Sequence, residues 1–333
     1  MDDLVEKVRF LSDPVAYGAN TGTVEARETH MSWVFLTKTR VYKLKKPIRR
    51  PHLDFSTIER RRHFCAEEVR LNRRLAAPTY RGVLPLCRRA GGSLELGGSG
   101  PVVDWLVEMV RLTETEMLDA HIADGRLAPE SVERLAETLA EFYASRSPEP
   151  QDGAVYTERL RREVGIDRGV LLRPRFELGD RAVRLLDAAD AALDRVTPEI
   201  EDRARRGLIV EGHGDLRPEH VWLGEPLQII DCLEFDRGFR LVDPWDELRY
   251  LGLECAVLGA EWVGPLLLSR VGQRLGDPAS EELLGLYAVL RALTRARLCL
   301  AHLLETPVRK PAKWRPLALR YLVEAERARP GGG

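Results

Sequence analysis

With 333 residues, of which 44% are apolar and 31% charged, the chain has the composition of a globular protein large enough for two compact units. Its 51 basic and 52 acidic side chains leave a formal net charge of −1, so no bulk field favours nucleic acid as a partner. The sequence has no apolar run of about 18 residues, no signal-peptide pattern and only scattered cysteines, which indicates a cytoplasmic protein with reduced thiols, no membrane association and no zinc site.

Apolar periodicity predicts the elements in chain order. For the first third these are a helix at 5–11, strands at 23–27, 33–36 and 40–44, a helix at 57–76, and strands at 83–86, 93–96 and 102–112. Helices are then predicted over 113–205, with loops near 147–150 and 173–174. A short strand-rich block at 208–231 follows, and helices resume to about 328, before a frayed tail at 329–333.

This order of elements predicts the fold class. A β-rich first part followed by a helical remainder is typical of an α+β fold in two units. We place the boundary at residue 112, which gives an N-terminal domain of residues 1–112 and a larger helical domain of residues 113–333.

The most informative segment is the polar loop at 213–220, His-Gly-Asp-Leu-Arg-Pro-Glu-His, which lies between two apolar strand segments. The next predicted strand ends at a second acid, Asp231. Phosphoryl transfer needs one carboxylate to orient and deprotonate the attacking hydroxyl and another to hold Mg²⁺ against the nucleotide phosphates. Asp215 and Asp231, at neighbouring junctions of loop and strand, are candidates for these two roles.

The motif resembles a known catalytic loop. His213-x-Asp215-x-x-x-x-His220 is similar to the HxDxxxxN loop of the aminoglycoside phosphotransferases and to the HRDLKPEN loop of protein kinases. Asp231 resembles the aspartate of the DFG-type metal motif, and residues 243–248 resemble the GDPxxDLA element of the aminoglycoside phosphotransferases.

The fullest resemblance is to an uncharacterised bacterial branch of phosphotransferase-like proteins. It rests on the phrases at 41–47, 54–57, 71–78 and 230–236, and it covers roughly residues 20–305. Some members of that branch carry an additional P-loop kinase domain, whereas this sequence has no GxxxxGK[ST] motif.

The resemblance implies a two-lobed protein-kinase-like fold and ATP-dependent transfer of the γ-phosphate to a hydroxyl of a small molecule. The acceptor would be a sugar, an aminoglycoside-like compound or another alcohol. Asp215 would be the catalytic base, and His213 would brace the loop. Arg217 would either contact the γ-phosphate or be a surface arginine. Asp231 would hold Mg²⁺, with His220 as a second candidate metal ligand.

The N-terminal part supplies candidates for binding the nucleotide. Lys43 resembles the lysine that contacts the α- and β-phosphates, and Lys45 is the alternative because alternation places both on one face. Glu68 would be the ion-pair partner of that lysine, with Glu67 as its alternative.

Two further nucleotide contacts are implied by the resemblance. The strand at 107–110, which contains Glu108 and Val110, is similar to the hinge strand whose backbone binds adenine. Ser32 lies where the family has its phosphate-covering turn and would cap a phosphate there.

The sequence departs from the family pattern at two places. His220 replaces the usual asparagine, and imidazole suits Mn²⁺ or other transition metals better than Mg²⁺. No GxGxxG loop precedes Lys43, which disfavours a protein kinase, as does the short stretch from Asp231 to Asp243. His220 favours a nucleotide-binding pseudokinase, but the retained lysine and aspartates oppose that alternative. Nucleotidyl transfer on the same fold also stays open.

Acids downstream of the metal motif carry two interpretations. They line a pocket for a cationic or polyhydroxylated acceptor, or they cap helices and face solvent. They are Asp236, Asp243, Asp246, Glu247, Glu254 and Glu261. Arg291, Arg295 and Arg297, on one predicted helix, are candidate partners for them.

Overall fold

The computed structural model describes residues 3–18, 21–147 and 152–328, and these divide into two compact units. The first unit takes the described residues up to Met117 together with His220–Phe239. The second takes those of Leu118–Glu219 and those from Arg240 onward. The predicted frayed tail at 329–333 and most of the predicted loop at 147–150 lie outside the described residues.

The first unit is built on an antiparallel sheet, as the alternating segments predict. The strands of this part of the chain are β1 (Glu25–Glu28), β2 (Ser32–Leu36), β3 (Arg40–Lys45), β4 (Arg49–Arg50), β5 (Leu53–Asp54), β6 (Tyr80–Arg88), β7 (Leu94–Leu96) and β8 (Val102–Val110). Six of them form one sheet in the order β1–β2–β3–β8–β6–β7, and β4 pairs with β5 apart from it. The central strands β3 and β8 therefore carry neighbours on both sides.

Two helices accompany this sheet, α1 (Asp3–Leu11) and α2 (Ile58–Ala76). Thr57 caps α2, because its side chain accepts a hydrogen bond from the N–H of Arg60. The apolar stripe of α2, which includes Cys65 and Val69, packs in one core with β6 and β8. Glu68 lies between these two buried residues, so the helix turns this carboxylate inward as well.

Four short strands come later in the chain. They are β9 (Val210–Glu211), β10 (Val221–Trp222), β11 (Gln228–Ile229) and β12 (Leu241–Val242). β10 pairs with β11, Trp222 bridges to Met117, and β11 packs on α2. Strand pairing thus assigns residues 220–239 to the first unit, whereas the predicted division at residue 112 follows chain order and leaves them with the helical part.

The second unit is helical apart from the β9–β12 pair. Its helices are α3 (Leu118–Ala123), α4 (Pro129–Ala144), α5 (Gly153–Leu171), α6 (Gly179–Arg205), α7 (Pro244–Val257), α8 (Val263–Leu275), α9 (Glu281–Ala301) and α10 (Pro311–Arg327). α7 is buried along most of its length. It approaches α8 so closely that a Cβ added to Gly252 would lie 2.8 Å from the Cα of Gly264.

The predicted α+β fold class is confirmed by this arrangement of a β-rich first unit and a helical second unit. None of the described helices combines the length and the apolar character that a membrane span requires. All five cysteines are buried free thiols.

Candidate active site

Two lysines of β3 converge on one buried carboxylate. Lys43 and Lys45 point to the same face of the strand, and their Nζ atoms lie 3.0 Å and 2.6 Å from the two oxygens of Glu68. Glu67 instead forms an ion pair with Arg70 on its own helix. The structure therefore brings Glu68 to the lysines and leaves Glu67 on the other face of α2.

The two lysines differ in their second partners. Lys43 also contacts Oδ1 of Asp231 at 2.7 Å and keeps 16% of its side chain exposed. Lys45 forms a second ion pair with Glu234 and is 0% exposed. Lys45 is thus enclosed between two carboxylates, whereas Lys43 retains access to solvent.

These ion pairs decide which groups are charged. Burial alone would raise the pKa of Glu68, but Lys43 and Lys45 outweigh it and hold that pKa below its ordinary value. Burial opposes the charge on Lys43 as well, yet Asp231 and Glu68 raise its pKa well above the ordinary value. Lys43 and Glu68 are therefore both charged at neutral pH.

Asp231 has an uncommon backbone conformation. Its φ of 63° lies in the left-handed region, which costs energy for a residue with a side chain. The hydroxyl of Tyr80 accepts its N–H at 3.1 Å, and Oδ1 of Asn72 accepts the next N–H, that of Cys232, at 2.9 Å. Asn72 also donates to the carbonyl of Glu68 at 2.8 Å. Side chains from β6 and α2 therefore support the strained segment.

The residues around Asp231 fit a divalent cation. Nε2 of His220 lies 3.7 Å from Oδ2 of Asp231, while Lys43 contacts the other carboxylate oxygen. The Asp231 side chain is 45% exposed, so water or phosphate oxygens have room to complete a coordination shell. A set of one carboxylate and one imidazole suits Mn²⁺ at least as well as Mg²⁺.

Two predicted nucleotide contacts do not fit the structure. Ser32 is 1% exposed at the start of β2, and this burial argues against its capping a phosphate. The N–H of Val110 donates to the carbonyl of Thr79 at 2.8 Å, so it is not available to adenine. Glu108 pairs with residues on both neighbouring strands, because β8 lies inside the sheet. The resemblance located the hinge within the strand, but strand pairing uses those backbone groups.

In the second unit, the loop after β9 is held by α7. Glu247 accepts the N–H of His213 at 2.8 Å and that of Gly214 at 2.5 Å, and the hydroxyl of Tyr143 at 2.9 Å. His213 is fully buried, and its Nδ1 accepts the N–H of Asp215 at 3.3 Å. His213 thus braces the loop, in the manner that the resemblance implies.

The Asp215 carboxylate projects from this braced loop and is 34% exposed. The hydroxyl of Tyr250 donates to its Oδ1 at 3.1 Å, and Nη1 of Arg217 lies 3.9 Å from its Oδ2. Arg217 also forms an ion pair with Glu219. Arg217 is therefore next to the candidate base and partly enclosed, not a solvated surface arginine.

The downstream acids have largely structural contacts. Asp243 is buried, caps α7 by accepting the N–H of Trp245 at 3.1 Å, and pairs with Arg203 at 2.6 Å. Two of the three candidate arginines pair with these acids, as the sequence suggests, in the pairs Arg291–Asp246 and Arg295–Glu254. Arg297 pairs with Asp167 of α5 instead.

Sequence comparison finds relatives whose own activity is uncharacterised. No protein-family model matches the sequence. Uncharacterised proteins of Mycobacterium tuberculosis and Mycobacterium bovis are each 31% identical to it over 281 residues, which is 83% of this chain and 54% of the relative. The chain spans about half the length of the curated relatives it matches.

Structure comparison is decisive for the fold. A spectinomycin phosphotransferase in complex with ADP and spectinomycin matches with a TM-score of 0.59 at 13% identity, covering 97% of this chain and 98% of the other. A choline/ethanolamine kinase family protein from Mesorhizobium loti matches at 0.53 with 15% identity, covering 99% and 96%. The chain has the aminoglycoside phosphotransferase fold. A glucosamine kinase in complex with glucosamine, ADP and inorganic phosphate matches this fold at 0.52 with 15% identity, covering 95% and 84%.

The sequence predicts the charged residues of this candidate site better than it predicts the residues that position them. Glu234, Tyr80 and Asn72 contact predicted site residues although none was assigned a role at the site, and Glu247 was considered only as a pocket acid or a helix cap. Glu234 had a weak signal, since it is an acid three residues after Asp231 in an otherwise apolar stretch. A polar side chain supporting a loop from a distant helix or strand gives no such local signal.

Proposed function

We propose that this protein is an ATP-dependent phosphotransferase that moves the γ-phosphate to a hydroxyl of a small molecule. The observation that carries the proposal is the ion-pair set in which Lys43 contacts both Glu68 and Asp231. It provides one charged lysine with solvent access for the phosphates and one carboxylate for a cation. Solved structures of the same fold include a spectinomycin phosphotransferase with ADP and a glucosamine kinase with ADP, which supports this reading.

In the first unit, the nucleotide contacts follow from exposure and from hydrogen bonds already made. Lys43 binds the phosphates, because Lys45 is enclosed by its two carboxylates. Asp231 and His220 are the residues that would hold a divalent cation, which would neutralise charge on the phosphates when bound. The N–H groups of Val110 and Arg111 already donate to the carbonyls of Thr79 and Thr39. We therefore place the backbone contact to adenine at residue 112, just after β8.

In the second unit, Asp215 is the base. It orients the acceptor hydroxyl and takes its proton while that oxygen bonds to the γ-phosphorus and the bond to the leaving ADP oxygen breaks. His213 and Glu247 fix the backbone from which the carboxylate projects. Such fixed placement is the main contribution a protein makes to this reaction, because the transition state is loose and charge-rich.

A nucleotide-binding protein without catalysis is the second candidate. The observation that favours it is His220, since imidazole is a weaker Mg²⁺ ligand than the amide of asparagine. A histidine at position 220 is also compatible with catalysis that uses Mn²⁺. Activity measured with Mn²⁺ therefore distinguishes the phosphotransferase from the non-catalytic protein.

The test is acceptor-dependent release of ADP from ATP, measured with Mg²⁺ and with Mn²⁺ over sugars, polyols and amino alcohols. We expect nucleotide binding with either metal and turnover with at least one acceptor class. Metal-dependent binding with no turnover on any acceptor would favour the non-catalytic candidate. Absence of ATP binding with both metals would reject both.

The support of Asp231 by Tyr80 gives a sharper prediction. We expect Tyr80→Phe to weaken metal-dependent ADP binding by about five- to tenfold, since one hydrogen bond to a strained segment is worth roughly 1 kcal/mol. Metal-free ADP binding should change less, because the hydroxyl makes its hydrogen bond to the N–H of Asp231, in the metal-binding segment. Titration calorimetry with and without Mn²⁺ measures both affinities.

Tyr17→Phe is the matched control for that measurement. Tyr17 lies in the same unit and donates its hydroxyl to the carbonyl of Leu11 at 2.6 Å. Tyr17→Phe should therefore also remove one hydrogen bond from the first unit, but it should leave the metal-dependent affinity for ADP unchanged. Equal effects of the two variants on that affinity would show that Tyr80 acts only through general stability.

A further inference from the structure

The surroundings of the Asp215 carboxylate decide which alcohols can approach it. Tyr250 donates to one of its oxygens, and Arg217 lies beside the other. Under the proposed function, an acceptor hydroxyl must come within hydrogen-bond reach of this carboxylate. The remainder of the acceptor then lies against Tyr250, Arg217 and the groups that contact them.

The acids in these surroundings are engaged by arginines. Glu219 forms an ion pair with Arg217. Glu254 accepts hydrogen bonds from Nε and Nη2 of Arg295 at 2.8 Å and 3.3 Å, and from the hydroxyl of Tyr321 at 2.8 Å. Glu254 is also largely buried. Glu254 therefore presents no open anionic site to a ligand, and Glu219, although 38% exposed, is already paired with Arg217.

The other acids of α7, a helix that the structure describes in full, are occupied in the same way. Asp246 is held by two hydrogen bonds of 2.7 Å from Arg291. Glu247 accepts the backbone N–H groups of the catalytic loop. A positively charged acceptor would have to displace one of these partners before it could form its own ion pair with the helix.

The arginines also act on a ligand directly. Nε of Arg217 is buried, lies 3.7 Å from Glu254, and has no hydrogen-bond acceptor among the described residues. An ammonium group placed here would find Glu219 and Glu254 already paired with guanidinium groups, and would have to compete with them for the carboxylates. Hydroxyl oxygens, by contrast, can accept hydrogen bonds from guanidinium donors. The arrangement thus favours a hydroxyl over an ammonium group, because the guanidinium groups are hydrogen-bond donors and occupy the carboxylates that an ammonium group would need.

We propose that the acceptor is an uncharged, hydroxyl-rich molecule of the sugar or polyol type, and that Arg217 and Arg295 discriminate against amino alcohols. The proposal rests on the proposed function to the extent that it takes Asp215 as the place where the acceptor hydroxyl binds. It narrows the range of acceptors that the fold alone allows, which includes amines.

The test compares alcohols that differ by one ammonium group, glucose with glucosamine and glycerol with 2-amino-1,3-propanediol. Binding to the full chain is measured by calorimetry in the presence of ADP and Mn²⁺, and ADP release from ATP is followed in parallel. We expect the uncharged member of a pair to bind at least about tenfold more tightly. Raising the pH until the amine loses its charge should narrow that difference.

Arg295→Gln should reduce the preference for the uncharged alcohol over its amino counterpart by about tenfold, because it frees Glu254 to pair with an ammonium group. Arg297→Gln is the matched control, since Arg297 lies on the same helix and pairs with Asp167 at 2.6 Å, away from Glu254. Tighter binding of the amines, or no binding of any member, would overturn the inference. Selective binding of the uncharged members without ADP release would uphold it and reject the proposed phosphotransferase activity.

Discussion

Asp215→Asn is expected to lower kcat for acceptor phosphorylation by about 10²- to 10⁴-fold, the usual contribution of a positioned general base. Asparagine keeps the size of the side chain and can still contact Tyr250, but it cannot take the proton of the acceptor hydroxyl. Nucleotide affinity should stay within about twofold of the wild-type value, because the groups assigned to nucleotide binding belong to the first unit. Steady-state ADP release and ADP titration measure the two quantities.

Asp194→Asn provides the control for this variant. Asp194 lies in the same unit and forms an exposed ion pair with Arg161 at 2.6 Å. It should leave kcat unchanged. If Asp215→Asn retained wild-type kcat, the base would have to be another residue, and the braced loop would be only structural.

Glu68→Gln is expected to lower the free energy of unfolding by about 3 kcal/mol, the lower end of the range for breaking a buried ion pair. The lower end applies because Lys43 and Lys45 keep Asp231 and Glu234 as partners. Glu67→Gln, one residue earlier on α2, breaks a partly exposed pair with Arg70 and should cost less than about 1 kcal/mol. Denaturant unfolding at pH 7 gives both values.

The effect of Glu68 should also depend on pH. Its pKa in the folded protein lies below the ordinary value of 4.5, so its contribution to stability is complete above that value. The contribution is lost as the pH falls further through the folded pKa, because protonation of Glu68 then breaks the ion pairs of the wild type as well. The difference between wild type and Glu68→Gln should therefore be constant near neutrality and narrow below about pH 4.5. A difference that widened under acid would contradict the assigned charge state.

The sequence predicts features that depend on local periodicity. Alternation in β3 places Lys43 and Lys45 on one face, and the helical stripe places Glu68 inward, so the ion-pair cluster could be anticipated in outline. The same alternation could not separate the two lysines. Their difference arises from Asp231 and Glu234, which lie far away in the chain and meet β3 only in the folded unit.

Features that depend on pairing between distant segments were missed or misplaced. A hinge role for Val110 is reasonable from the strand pattern alone, but β8 has neighbours on both sides and its N–H groups are used within the sheet. Glu247 was considered only as a pocket acid or a cap. The structure shows it as the acceptor for the backbone N–H groups of His213 and Gly214, a role that depends on how α7 packs beside β9 and β12.

The assignment of His220–Phe239 to the first unit has a consequence for synthesis on the ribosome. When residues 1–117 have emerged, β3 already carries two lysines that become buried, and of their ion-pair partners among the described residues Glu68 alone has been synthesised. Asp231 and Glu234 leave the exit tunnel more than a hundred residues later, because α3–α6 are translated first. The first unit therefore lacks these two carboxylates until late in synthesis. We expect it to reach its stable fold only after α3–α6 have been translated, and not as the first step of co-translational folding.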